Sequence, residues 1–229
     1  MKKAQAIEAV VVLSGGQDSA TCLALAIAEH GADKVAAITF EYGQWHSIET
    51  RFARGLAKRF QIAAHKVVNL AFYRHLTANA LMNKDMPIKK EQGAKAPTTL
   101  VEGRNPLFLL VAAIWAKSLG AKRLWTGVSQ ADFSGYPDCR EDFIRAHEQM
   151  LRLAMEWPFE IVTPFMNLTK KDEWAIADEL GIFDIIENDT VTCYPGIPGK
   201  GCGKCPACKL RNRGLKEFLA TRRKRQNMV

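Results

Sequence analysis

Four apolar residues, Val10-Val11-Val12-Leu13, run without a break into Ser14-Gly15-Gly16-Gln17-Asp18-Ser19. A β-branched run of this kind is a buried strand, and the paired glycines after it call for a tight turn. Residues 18–30 then carry apolar side chains at helical spacing and stop at Gly31. Strand, glycine turn and helix in that order open a parallel α/β sheet. Backbone N–H groups at the turn and at the helix start form a ready anion site. The turn lacks Gly-Lys-Ser/Thr, and an aspartate stands where a phosphate-binding lysine would be expected.

The pattern continues down the chain. Residues 34–40 and 64–70 read as the second and third strands, with an amphipathic helix over 47–60 between them. A helix is expected over 105–119, with Asn105 as its N-cap and Pro106 at the first helical position. Strands at 123–128 and 160–163 flank a helix over 140–156, and a last core helix over 169–180 opens with Thr-x-x-Asp, a capping-box spacing. Residues 71–102 have weak periodicity and read as a long surface loop. The expected fold is α/β: a doubly wound, mainly parallel five-stranded sheet with helices on both faces. Residues 1–185 would form the nucleotide-binding α/β domain. Residues 186–229 would form a metal-binding C-terminal segment with a helix over 206–219 and a basic tail. Ligands then gather at the carboxyl ends of the strands.

The 229 residues carry 32 basic and 24 acidic side chains, a net charge of +8. No apolar run reaches the length of a membrane helix, and the N-terminal run ends in glycines rather than a cleavage site. A cytoplasmic protein without membrane contact is therefore expected. The basic run Arg222-Arg223-Lys224-Arg225 reads as a solvated tail rather than a nucleic-acid contact, so direct tRNA binding is not expected.

Within the turn, Gly15 and Gly16 let the backbone approach an anion closely, while Ser14 and Ser19 supply hydroxyl donors. Asp18 cannot donate to phosphate; its useful role is to hold Mg²⁺ that bridges phosphate oxygens. Its bland alternative is an acid at a helix N-terminus, favoured by the macrodipole. Lys170, at the start of the helix after the fifth strand, is placed to offset phosphate charge. The segment TFEYGQWH, with Phe40, Gln44 and His46, follows the second strand and would border a purine.

Cys193, Cys202, Cys205 and Cys208 are spaced by nine, three and three residues, with Gly201, Gly203 and Pro206 among them. Four thiolates without a nearby histidine favour one structural Zn²⁺; an iron–sulfur cluster and a redox dithiol are the alternatives. Cys22 reads as a small buried hydrophobe.

The string Ser-Gly-Gly-Gln-Asp-Ser after a buried strand resembles the pyrophosphate loop of the ATP pyrophosphatase superfamily. The resemblance implies cleavage of ATP between its α- and β-phosphates. The segment GVSQADFSGYPDCR, residues 127–140, is dense in polar groups: Asp132, Ser134, Tyr136, Asp138, Cys139 and Arg140. Taken in order, SGGQDS, TFEYGQWH, EGRN, GVSQADFSGYPDCR and the four cysteines resemble the 7-cyano-7-deazaguanine synthase family, over about residues 8 to 220. Glu102 and Trp45 stand where that family usually has proline and arginine.

The resemblance implies an adenine nucleotide alpha-hydrolase-like fold and a homodimer. It also implies ATP-driven conversion of 7-carboxy-7-deazaguanine and ammonia to the nitrile. Candidate nucleotide contacts are Leu13, Ser14, Gly15, Gly16, Gln17, Asp18 and Ser19, together with Phe40, Gln44, His46, Gly103 and Gly127. Candidate catalytic groups are Asp18, Arg104 and Lys170. For the deazapurine, Asp132 and Asp138 would accept from its N–H edge, Phe133 or Tyr136 would stack on it, and Arg104 would pair with an anion. Asn105, Ser134 and Arg140 complete that candidate set. Cys139 is expected to pack or orient rather than attack. Two rival readings are a tRNA thiolase on the same loop and a non-catalytic zinc-ribbon nucleic-acid module.

Overall fold

The computed structural model describes residues 6–44, 47–83, 85–88, 97–130 and 136–226. Five strands, β1 (Ala9–Val12), β2 (Val35–Glu41), β3 (Ala64–Asn69), β4 (Arg123–Trp125) and β5 (Glu160–Val162), pair in parallel in the order β3-β2-β1-β4-β5. β1 is central: Val10 sits opposite Ala36 on one side and Leu124 on the other. Burial on both faces is why this strand reads as an unbroken apolar run.

The helices are α1 (Gln17–His30), α2 (Ile48–Arg59), α3 (Arg104–Ser118), α4 (Glu141–Met155), α5 (Lys170–Glu179), α6 (Phe183–Asn188) and α7 (Pro206–Gln226). Side chains alternate across the sheet. Val11 and Leu13 share one core with Leu23 of α1, Ala53 of α2, Trp174 of α5, Ile186 of α6 and Phe218 of α7. Val10 and Ile38 face the opposite core, with Leu109 of α3 and Ile144 of α4. The core under α1 therefore includes the C-terminal helix.

Some expected elements move. β4 is three residues long: the Thr126 N–H still donates to the Val162 carbonyl at 3.0 Å, and from there the chain turns to line the cavity at the carboxyl edge of the sheet. α3 begins at Arg104, with Gly103 as its N-cap in the left-handed region at φ 72°, not with Asn105 as cap. The reason is tertiary: the Asn105 backbone N–H donates to the Asp138 carboxylate at 3.2 Å, so Asn105 lies inside the helix with its own N–H capped from another segment. α6 was not expected. The Thr169 capping box forms as predicted, with the Thr169 N–H donating to Asp172 Oδ2 at 2.9 Å. The described part of 71–102 is not merely surface: Asn79, Ala80, Thr99 and Val101 are buried, and the Ala80 N–H donates to the Thr98 carbonyl at 2.8 Å. Among the described residues no helix is long and apolar enough to cross a membrane.

Candidate active site

The chain leaves β1 toward β2 and β3 and returns on the other side as β4, so two neighbouring strands diverge at their carboxyl ends. A cavity of about 840 Å³ opens there. Its wall begins with the turn after β1. Gly15 adopts φ +88°, and a Cβ on it would lie 2.6 Å from the Glu49 carbonyl oxygen of α2. The turn is folded by its own hydroxyls: Ser14 and Ser19 Oγ lie 2.9 Å apart, and the Ser14 and Gly16 N–H groups donate to Ser19 Oγ and Ser14 Oγ. Gln17 is 1% exposed and lines the cavity, yet its amide nitrogen and oxygen have no hydrogen-bond partner among the described residues. An orphaned buried amide of this kind marks a place for a polar ligand. Gly127, after β4, passes so close to α1 that a Cβ would lie 2.8 Å from the Asp18 carbonyl carbon.

Lys170, 5% exposed, brings α5 to the turn. Its Nζ donates to Glu173 Oε1 at 2.7 Å and lies 2.9 Å from Asp18 Oδ1, an ion-pair distance without hydrogen-bond alignment. Glu173 is fully buried, and burial together with the Asp18 charge holds its carboxyl well above the usual range, against the pull of Lys170. A folded-state carboxyl that grips its proton more tightly than the unfolded chain does stabilises the fold fully below its ordinary pKa. That contribution is lost as pH rises through the folded-state value. Glu173→Gln keeps an acceptor for Lys170 and removes the charge. It is expected to raise the melting temperature at pH 8 relative to wild type and to leave it unchanged at pH 4, as measured by thermal unfolding across that range.

Across the cavity, Arg104 of α3 is partly buried and interacts with all four tyrosines of the chain, Tyr42, Tyr73, Tyr136 and Tyr194. Burial opposes its charge, but Tyr42 and Asp138 outweigh burial and hold its pKa above the ordinary arginine value. Tyr42 is itself pushed up to about 12, chiefly by burial. Tyr136 shares hydrogen bonds with Thr99 and Tyr194. Arg104 thus lines the cavity together with Tyr42, Tyr136 and Tyr194, a cation among phenols that suits a planar or anionic group.

Of the expected residues, Leu13, Ser14, Gly16, Gln17, Asp18, Ser19, Phe40, Gln44, Gly127, Arg104, Asn105, Tyr136 and Lys170 all border the cavity. Phe40 stacks on Phe108 at 4.2 Å, and Gln44 Oε1 accepts from the Tyr42 N–H. Gly15 supports the turn from behind, and Gly103 caps α3. Asp138 Oδ2 is taken by the Asn105 N–H, while Oδ1 is buried without a partner among the described residues. Arg140 is exposed as the N-cap of α4 and lines a separate surface hollow. His46, Asp132, Phe133 and Ser134 lie outside the described residues. The Cys139 thiol is pushed up to about 12 by burial and the Asp138 charge, as suits a packing group rather than a nucleophile. Tyr42 falls in the TFEYGQWH segment expected to border a purine, although it was not singled out; Glu173, Thr192 and Tyr194 were not foreseen. Only Glu173 left a signal, its i, i+3 spacing from Lys170.

The four cysteines of the tail come together: their Sγ atoms all lie within 4.8 Å of one another. Cys202 and Cys208 Sγ are 3.9 Å apart, close to the ~3.8 Å edge of a tetrahedron with Zn–S distances of about 2.3 Å. Backbone N–H groups of Cys205 and Lys204 hold the Cys202 thiol down to about 6, which favours a thiolate. Gly201, at φ +65°, leaves room where a Cβ would lie 2.3 Å from Cys208 Sγ. The donor set fits one metal ion with no open coordination position. The start of α7, with Ala207 before Cys208 and Leu210 and Arg213 after it, also forms cavity wall.

Sheet order, glycine turn and cleft place the chain in the adenine nucleotide alpha hydrolase-like, PP-loop class. NMN synthetase from Francisella tularensis matches with TM-score 0.52 and 16% identity, over 86% of this chain and 71% of that one. A predicted subunit of tRNA methyltransferase from Methanocaldococcus jannaschii matches with TM-score 0.50 and 18% identity, over 76% and 75% of the two chains. At these identities the likeness is one of fold. The family model of the queuosine biosynthesis protein QueC matches residues 8–219, and the chain belongs to that family. Membership implies an ATP-dependent enzyme acting on small molecules in the role of 7-cyano-7-deazaguanine synthase.

Proposed function

We propose that the protein converts 7-carboxy-7-deazaguanine and ammonia to 7-cyano-7-deazaguanine by activating the same carbon twice with ATP. The family match over residues 8–219 carries the proposal. The orphaned Gln17 amide and the Lys170–Asp18 pair at the turn support a phosphate-binding role there. A carboxylate oxygen attacks the α-phosphate, and pyrophosphate departs into the turn, where Lys170 offsets its charge. Ammonia then attacks the acyl carbon, AMP leaves with one oxygen, and an amide remains. The amide oxygen is adenylated in turn; loss of AMP and two N–H protons leaves the C≡N bond. Both carboxyl oxygens thus depart on AMP, so two ATP molecules yield two AMP and two pyrophosphate. The Asp18 carboxylate would hold the Mg²⁺ that accompanies ATP and neutralises its phosphates. Zn²⁺ in the four-thiolate cluster would be structural.

The cavity wall formed by Arg104, Tyr42, Tyr136 and Tyr194 suits the second substrate. Arg104 pairs with the substrate carboxylate before activation, and Tyr136 offers a face for the deazapurine. Asp138 does not line the cavity itself and borders the neighbouring hollow with Arg140; its Oδ1, without a partner among the described residues, would accept from an N–H of the base only if the base reaches past Asn105. A thiolase would need an accessible low-pKa thiol; Cys139 is held up at about 12, Cys22 is buried, and the other four thiols form the cluster.

Incubation of the protein with the deazapurine acid, ATP and ammonium, followed by mass analysis, is expected to give the nitrile with two AMP and two pyrophosphate per nitrile. Formation of ADP and orthophosphate, or of no nitrile, would refute the proposal.

A further inference from the structure

Residues 190–194 lie beside the glycine turn and lead into the thiolate cluster. At their start, Thr190 Oγ1 donates to the Ile186 carbonyl at 2.6 Å. Arg211 of α7 is 1% exposed. Its guanidinium donates to the carbonyls of Ile186, Glu187 and Gly199 and to Thr190 Oγ1. One cation thus ties the end of α6 to the cysteine loop, where the C-terminal carbonyls of a helix favour positive charge. Two hydrogen bonds then join this strap to the turn: the Val191 N–H donates to the Gly15 carbonyl at 2.9 Å, and the Gln17 N–H donates to Thr192 Oγ1 at 3.3 Å. The next residue is Cys193, whose Sγ accepts from the Cys202 N–H. Beyond the cluster, α7 returns to the same site: a Cβ on Gly214 would lie 2.5 Å from Lys170 Cβ.

A hydroxyl accepts and donates at once. Thr192 Oγ1 accepts the Gln17 N–H at the N-terminus of α1 and borders the cavity. Its own proton has no acceptor among the described residues, and Gln17, whose backbone it caps, lines the same cavity with a buried side-chain amide that has no partner among the described residues. Resting on the assignment of the turn as the pyrophosphate grip, we propose that Thr192 is a phosphate-contacting residue. Its hydroxyl relays the Gln17 N–H and donates to an outer phosphate oxygen, and the cluster, through the adjoining Cys193, holds it in place. The metal segment is thereby part of the nucleotide site as well as a support for the fold.

Titration calorimetry of metal-loaded protein with magnesium pyrophosphate tests this. Loss of a hydrogen bond to a charged group predicts roughly tenfold weaker binding for Thr192→Val, while Thr192→Ser stays within about twofold of wild type. Unchanged binding by a folded Thr192→Val protein overturns the proposal. Failure of wild type to bind pyrophosphate or ATP instead overturns the function proposed above, and this inference with it. A second measurement needs no variant: because coupling between binding free energies is reciprocal, pyrophosphate should tighten metal binding by wild type several-fold, read from the equilibrium transfer of metal to a chromophoric chelator. The same ligand should have little effect on transfer from Thr192→Val. No tightening in wild type at saturating pyrophosphate refutes the link between cluster and strap.

Discussion

Lys170→Met is expected to lower kcat for nitrile formation by roughly 10²–10³-fold, the loss typical of removing one group that stabilises developing charge. The same change should destabilise the fold, because Lys170 Nζ is the cation between Glu173 Oε1 at 2.7 Å and Asp18 Oδ1 at 2.9 Å. Breaking a buried pair by removing one partner costs about 3–5 kcal/mol. Asp18 is partly exposed and solvent screens it, so a loss near about 3 kcal/mol is expected. The double variant Lys170→Met/Glu173→Leu separates the two effects. It replaces the buried pair with apolar groups of similar volume, which is often neutral for stability. Stability should recover to within about 1 kcal/mol of wild type while activity stays low. Recovery of activity together with stability would assign Lys170 a structural role alone. Denaturant unfolding and initial rates on the same preparations decide between these outcomes.

The helices and strands were legible where local chemistry and burial agree. β1 is apolar throughout because both of its faces are covered, and Thr169 with Asp172 announces α5 because the capping box is a contact within four residues. Expectations failed where a distant segment supplied the partner. Asn105 looks like a helix cap in sequence, but the Asp138 carboxylate reaches it from 33 residues away, and α3 starts earlier. Residues 71–102 lack periodicity, yet Asn79 and Thr99 are buried because the segment folds back on itself and toward the cavity.

The candidate site divides the same way. Groups within one stretch, such as Ser14 with Ser19 or Cys202 with Cys205 and Cys208, declare themselves by spacing. The phenols around Arg104 come from four separate segments, and no periodicity links Tyr42, Tyr73, Tyr136 and Tyr194. Thr192 was hidden for another reason. It stands next to a cysteine of the cluster, so its neighbour accounted for the segment before the fold set it against the turn.

Gly15→Ala and Gly16→Ala should fail in different ways, although the residues are adjacent. At Gly15 a side chain meets two penalties: φ is +88°, and the Cβ would lie 2.6 Å from the Glu49 carbonyl oxygen and 3.0 Å from the Ala53 nitrogen. Both contacts are to the backbone of α2, which cannot move aside as a flexible side chain can. Left-handed strain and forced overpacking each cost about 1–3 kcal/mol. A total near about 3 kcal/mol or more corresponds to a melting temperature lower by roughly 6–12 °C for a chain of this size. Gly16 has an ordinary extended φ of −83°, and its added Cβ would meet the Val191 carbonyl at 3.3 Å and Ser14 Oγ at 3.5 Å. Those are contacts to the strap and to the hydroxyl that folds the turn. The melting temperature of Gly16→Ala should stay within about 3 °C of wild type, a change below about 1 kcal/mol. The same methyl intrudes where phosphate oxygens would approach the backbone, so the KM for ATP should rise about tenfold, equivalent to about 1.4 kcal/mol of lost binding. Thermal unfolding and ATP saturation curves on the two variants give the comparison. A Gly16→Ala protein with unaltered KM would show that the turn does not carry the phosphates.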